Sequence, residues 1–264
     1  MKKLSLLLAV MALFFTDLAL AAGAIVTSVT GTVQAQRAPA AARPVRQGDP
    51  LSQGDTIFTG SGSAAVLRFD DGQVVALTAN SRMFINTYQY NPATESGNVL
   101  LSLVTGGMRA ITGLIGRRTP SQVAYRAATA TIGIRGTDGT IATDGDNVIV
   151  TVSEGVMTIT QGNLVLTIAA GEAVFTRPGQ PPIRGSISQV LAQVPPAFAA
   201  AVAQSGALTG DVRSAQGGQG GQGGQGDRGD RDDRGDRGDR GGQSGQQGGG
   251  QGGGAGGGGH ASGS

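Results

Sequence analysis

The side chains that could do chemistry are few. The 264 residues contain no cysteine and one histidine, His260, close to the C-terminal end. The two lysines, Lys2 and Lys3, stand at the start, so every later basic side chain is an arginine. Nucleophilic triads, Schiff bases and zinc sites therefore lack their parts in the body of the chain. Carboxylates remain, at Asp55, Asp70, Asp71, Glu154 and Glu172. Most of them stand where turn geometry already accounts for an acid, because aspartate beside glycine favours tight turns. The inventory argues against an enzyme and implies no cofactor; a carboxylate hydrolase is the distant remainder. Asp144-Gly145-Asp146-Asn147 offers clustered oxygens of the kind hard cations take. It lacks the later bidentate glutamate of a calcium loop, so a hairpin turn is expected and no metal site.

Arginine is the one recurrent functional group. Between Thr105 and Ala127 every charge is arginine: Arg109, Arg117, Arg118 and Arg126. A guanidinium fork recognises carboxylates and phosphates bidentately, which makes Arg109, Arg117 and Arg118 candidates for binding a partner. The plainer reading is an exposed loop with solvated charges. Arg135, within Ile132-Gly133-Ile134-Arg135-Gly136-Thr137, is the fourth candidate. Its flanking glycines suggest a close-packed or bulged strand, where the arginine either pairs with a buried acid or faces a ligand. Three Arg-Gly-Asp triplets between Arg228 and Asp239 follow from a block made only of those residue types.

The elements that must position these groups read as β structure. Thr56 to Phe58, a Gly60 to Ser63 turn, and the alternation of Ala65, Leu67 and Phe69 with Ala64, Val66 and Arg68 predict one buried and one wet face. Asp71-Gly72 reads as a two-residue hairpin loop with positive φ at both positions, leading into Gln73 to Leu77. Ile25 to Val29 and Thr32 to Ala35 precede this hairpin, with a proline-containing loop from Arg37 to Pro50. Met83 to Asn86 follows it, then a polar loop from Asn91 to Asn98. Val99 to Val104, apolar on both parities, is expected to be covered on both faces. Farther on, Thr131 to Ile134 and Thr140 to Thr143 flank Asp138-Gly139; Asn147 to Val152, Val156 to Thr160, Leu164 to Ile168 and Ala173 to Thr176 complete the series. Short strands with such regular turn signals predict one all-β antiparallel roll or sandwich.

Five pieces of this body resemble the FecR-type periplasmic domain. They are Val29-Thr30-Gly31-Thr32-Val33, the Gly54-Asp55-x-Ile57-x-Thr59-Gly60 run, Ala65-x-Leu67-x-Phe69-x-Asp71-Gly72, Ala128 to Thr137, and Val152-Ser153-Glu154-Gly155-Val156. The similarity spans about Ile25 to Pro178. It implies structural roles for Gly54, Asp55, Thr59, Gly60, Asp71, Gly72, Gly133 and Gly136, and a sensing function in signalling. FecR-type regulators also carry a cytoplasmic sigma-factor-binding segment and one transmembrane helix, and their periplasmic end contacts an outer-membrane iron transporter. Neither the cytoplasmic segment nor the anchor is expected here, so a stand-alone FecR domain is the form the resemblance takes.

The ends differ from the middle. Lys2 and Lys3, the apolar run from Leu4 to Phe15 and Ala19-Leu20-Ala21 predict a secretory signal peptide over residues 1–21. About 12 apolar residues are too few for a membrane span, so no transmembrane anchor is expected after cleavage. Removing Lys2, Lys3 and Asp17 from 20 basic and 18 acidic residues leaves 18 against 17, which gives no electrostatic case for nucleic acid. The all-β domain is expected over residues 22–178. Residues 179–205 form an apolar extension, as two short helices over a sheet edge or as a weakly ordered linker. Residues 206–264, glycine and glutamine with one charged block, should be disordered. An exported non-catalytic module binding an envelope protein or a cell-wall polymer, in the periplasm or outside the cell, fits this layout. The alternative is a secreted structural or matrix protein in which the tail is the working part.

Overall fold

The computed structural model describes residues 23–217. The expected leader, the charged block with its Arg-Gly-Asp triplets, and His260 lie outside the described residues. Period-two patterning yields fifteen strands: β1 (Ala24–Thr30), β2 (Val33–Gln36), β3 (Arg43–Pro44), β4 (Pro50–Leu51), β5 (Thr56–Thr59), β6 (Ala64–Phe69), β7 (Val74–Leu77), β8 (Arg82–Asn91), β9 (Ser96–Ile111), β10 (Val123–Ala127), β11 (Ala130–Thr143), β12 (Val148–Gln161), β13 (Leu164–Ala169), β14 (Glu172–Thr176) and β15 (Ile183–Ser186). Four short α-helices are described with them: α1 (Leu114–Arg118), between β9 and β10, and after β15 α2 (Ile187–Leu191), α3 (Pro196–Ala207) and α4 (Thr209–Gly217). The fold is an all-β roll in which every pairing is antiparallel except β9 with β10, parallel from Val99 to Leu103. No described helix is long and apolar enough to cross a membrane.

Three long strands organise the roll, each changing partners along its length. The first part of β9 pairs with β8 and β10, and the second with β7 and β11. Its inward parity switches at Gly106, where φ is +89°: Val99, Leu101 and Leu103 point inward before it, Met108 and Ala110 after it. β11 and β12 run side by side through an irregularity at Arg135 to Asp138. The expected turn at Asp138-Gly139 is therefore a bulge inside one strand, because a neighbouring strand continues along both halves. Thr105 to Ile111, read as loop, is likewise strand.

One main core runs from Ala24 to Val174, with Leu67, Phe69, Leu101, Tyr125, Ile141 and Val150 among its buried members. Each fully buried aliphatic or phenylalanine side chain contributes about 1.5–3 kcal/mol. The outer face of the roll carries two smaller apolar clusters, both made with the C-terminal helices. In one, Phe198 of α3 meets Phe175 edge-on at 5.1 Å, with Ile149 and Val190 alongside. In the other, Val212 and Ala215 of α4 cover Val66, Val74 and Ala76.

That second cluster reverses two expectations. The second face of β6 is not wet, since Ala64 and Val66 are buried along with Ala65 and Leu67. Val99 to Val104 is not covered on both faces, and Val104 is 43% exposed. The difference is placement: α4 lies over β6 and β7, not over the start of β9. Within the expected tail, Thr209–Gly217 is helical. Leu208, Val212 and Ala215 recur at helical spacing and supply an apolar face. The two helices expected near Ile187 and Pro196 form as α2 and α3. A capping box starts α2, with the Gln189 amide donating to Ser186 Oγ and the Ser186 amide donating to Gln189 Oε1. Pro196 opens α3, where no amide hydrogen is needed.

Candidate functional site

Among the motif residues of the first hairpins, Asp55, Thr59 and Asp71 are buried polar fasteners. Asp55, 5% exposed, receives both arms of the Arg37 fork at 3.0 and 2.9 Å and the Ser52 amide at 2.8 Å. It pins the Arg37 to Pro50 excursion to the roll, a role that a turn aspartate does not have. Gly54 beside it has a φ of +92°. Thr59 Oγ1 donates to the Thr78 carbonyl at 2.6 Å and accepts the Ser81 amide at 2.8 Å. The Gly60 amide donates to the Thr32 carbonyl at 2.9 Å, joining two hairpins.

Asp71 is the larger surprise. Only Gly72, at +79°, has positive φ, so the loop is not the two-residue turn expected. Asp70-Asp71-Gly72 is a three-residue loop closed by the Phe69 amide donating to the Gln73 carbonyl at 2.8 Å. The Asp71 side chain turns inward and is fully buried. Its Oδ1 accepts from the Gln73 amide at 3.1 Å and from Tyr88 Oη at 3.2 Å, and its Oδ2 faces the Ile115 amide at 3.4 Å. Tyr88 Oη in turn accepts the Asp71 amide at 2.9 Å. Beside them Tyr125 Oη donates to Gln73 Oε1 at 3.1 Å. Burial pushes the Asp71 carboxyl above its ordinary value despite these donors, and burial followed by the Asp71 charge pushes the Tyr88 hydroxyl up as well. Gly113 is required here, because a Cβ would collide with Asp71 Oδ2.

The arginine candidates are distributed by the β11–β12 bulge. Gly136 and Gly155 both have positive φ, +60° and +78°, and a Cβ at Gly155 would collide with the Gly136 carbonyl oxygen. Gly133 faces Thr158 Oγ1, 2.7 Å from where a Cβ would lie. The glycines thus make the close-packed and bulged strand that their spacing suggests. The bulge opens a polar cavity of about 400 Å³ between the sheet, α1 and α4. Arg109 and Arg117 line it together with Asp138 and Glu154. Arg109, half-buried, donates from Nε to Asp138 Oδ1 at 2.7 Å and from Nη1 to Thr209 Oγ1 at 2.8 Å. The hydrogen bonds it donates to the Asp138 carboxylate hold its guanidinium pKa even higher than usual. Arg117, exposed, spends Nη1 on the Thr112 carbonyl at 3.0 Å and keeps its other donors.

The other two candidates lie outside that cavity. Arg118 pairs with Glu95 at the tip of the β8–β9 hairpin. Arg135 is exposed on the bulge beside Gly136, and no buried acid pairs with it among the described residues. Sequence reasoning missed Arg213, which α4 adds to the cavity wall. The helical spacing of Leu208, Val212 and Ala215 was the signal that could have found it. Among the carboxylates considered for chemistry, Asp55 and Asp71 are engaged as above and Glu172 pairs with Arg184 at 3.0 Å. Asp144 accepts the Asp146 and Asn147 amides at 3.0 and 2.8 Å, as a turn residue does. Glu154 forms no ion pair among the described residues.

Comparison with known proteins adds a family match over part of the chain. No curated protein matches the chain. Two crystal structures of a provisionally named anti-sigma factor from Parabacteroides distasonis are similar, at 15% and 16% identity, each with a TM-score of 0.41. The alignment covers 50% of this chain and 59% of theirs, so the chain spans little more than half their length. Residues 55–158 match the family described as FecR protein, from the buried Asp55 through the β11–β12 bulge. The match to the FecR family thus covers residues 55–158, and the arginine-lined cavity is built largely on the second half of that stretch.

Proposed function

We propose that this chain is an exported, non-catalytic binding module that serves as the sensing part of a FecR-type regulatory system. It meets an envelope protein or a cell-wall polymer in the periplasm or at the outside of the cell. The observation that supports this reading is the FecR domain itself, with exposed Arg135 on its central bulge and Arg117 at the adjoining cavity. Arginine forks in such positions suit carboxylates and phosphates on a partner. The carboxylates that catalysis would need are mostly held by arginine, tyrosine or backbone partners.

The test is affinity capture with the full chain from envelope extracts, read by mass spectrometry, with and without Arg135→Ala. One envelope component should be enriched by the wild type, and its affinity should fall about tenfold in the variant, the equivalent of about 1.4 kcal/mol. Melting temperature should not move, since Arg135 is exposed. Deletion of residues 218–264 should leave capture intact; loss of surface retention with capture unaffected by Arg135→Ala would instead make the C-terminal segment the working part.

A further inference from the structure

We propose that the cavity between the sheet and α4 binds a small anionic group, a carboxylate or a phosphate, and that its occupancy fastens α4 to the roll. The proposal rests on the reading of the chain as a binding module and names the chemistry of its site. The cavity, about 400 Å³, falls in the size range of small-ligand pockets. Its walls come from two parts of the chain: the bulged sheet and α1 supply Arg117, Asp138 and Glu154, while α4 supplies Thr209, Arg213 and Gln216. The site is incomplete without the helix.

The charges inside are unequally committed. Arg109 is neutralised by Asp138 and reaches across to Thr209, so it ties the walls together and is not free for a ligand. Arg117 has donors left over, and Arg213 forms no ion pair among the described residues. Those two guanidiniums, one from each wall, can share one carboxylate or phosphate in charge-assisted hydrogen bonds. Glu154 sets a limit on the charge accepted and offers an acceptor to a ligand hydroxyl or ammonium. A ligand held by both walls binds only when α4 is docked, so binding must shift the helix toward the docked state.

The experiment titrates the full chain with glutarate and, separately, with inorganic phosphate, and follows hydrogen exchange over Thr209–Gly217. Saturable binding of one anion, with slower exchange in that segment, is the expected result. Arg117→Ala and Arg213→Ala should each weaken it at least tenfold with the melting temperature unchanged, and the anion that binds tells carboxylate from phosphate. If neither anion binds in an arginine-dependent way, or if binding leaves exchange of α4 unaltered, the proposal is overturned. Envelope capture measured on the wild-type chain alongside the anion titration separates the two readings. Capture intact without anion binding removes this site and leaves the module, and anion binding intact without capture does the reverse.

Discussion

Two Asp-Gly steps, Asp71-Gly72 and Asp144-Gly145, look alike in sequence and have positive φ at the glycine, +79° and +110°. Their aspartates do opposite work. Asp144 stays at the surface; slight burial pulls its carboxyl upward, but donors from Asn147 and Asp146 outweigh this and leave its pKa below the ordinary value. Asp71 is drawn under the roll, where burial outweighs its donors and its pKa rises. One aspartate shapes a turn, and the other joins the β6–β7 loop to β8 and to the start of α1. Environment, set by residues far along the chain, decides which role the same dipeptide plays.

Four substitutions or conditions test that contrast. The largest effect belongs to Asp71→Ala, which strands the Tyr88 hydroxyl and two buried amides. A loss of about 3 kcal/mol in denaturant unfolding is expected. A value near that of a surface turn would dissolve the contrast. Tyr88→Phe removes only the hydroxyl that accepts the Asp71 amide and donates to its carboxylate, and should cost about 1.5 kcal/mol by the same measurement. Asp144→Ala, losing solvent-exposed turn bonds, should cost less than about 1 kcal/mol.

The smallest signal is the sign of the pH dependence, and it is the sharpest discriminator. Folding binds a proton at Asp71 more tightly than the unfolded chain does. Its contribution therefore grows as pH falls through the raised folded value, and is lost as pH rises above it. Asp144 runs the other way: its contribution is present above the ordinary value of 3.8 and is lost as pH falls through the depressed one. Unfolding midpoints compared between about pH 3 and 7 for the wild type, Asp71→Asn and Asp144→Asn should show differences of opposite slope. Parallel slopes would mean that both carboxyls sit in equivalent surroundings.

The strands were legible wherever the pattern was local. Asn147 to Val152, the Gln161-Gly162-Asn163 turn and Ala173 to Thr176 stand where alternation and glycine place them. What failed was information held by distant neighbours. Asp138-Gly139 carries a turn signature, yet β12 runs alongside both halves and carries β11 through it as a bulge. Wet and buried faces of β6 depend on Val212, well over a hundred residues later. The burial of Asp71 needs Tyr88 and Ile115, neither of which marks the loop in sequence. Among the arginine candidates, proximity in sequence grouped Arg117 with Arg118. The fold divides them, one to the cavity and one to Glu95, because successive residues on α1 point in different directions.

The way α3 and α4 are held has a mechanical side. Gln204 clasps the Ala79 amide at 2.9 Å and the Ser63 carbonyl at 3.3 Å, Ser205 meets Thr140 at 2.8 Å, and Thr209 meets Arg109. A load applied at the C-terminal end of α4 reaches Val212, Ala215 and the Thr209–Arg109 clasp first, before the clasps and the buried Phe198 of α3. Contacts arranged in series along two helices release one after another, so the last helix is placed to let go first while the roll of strands keeps its shape.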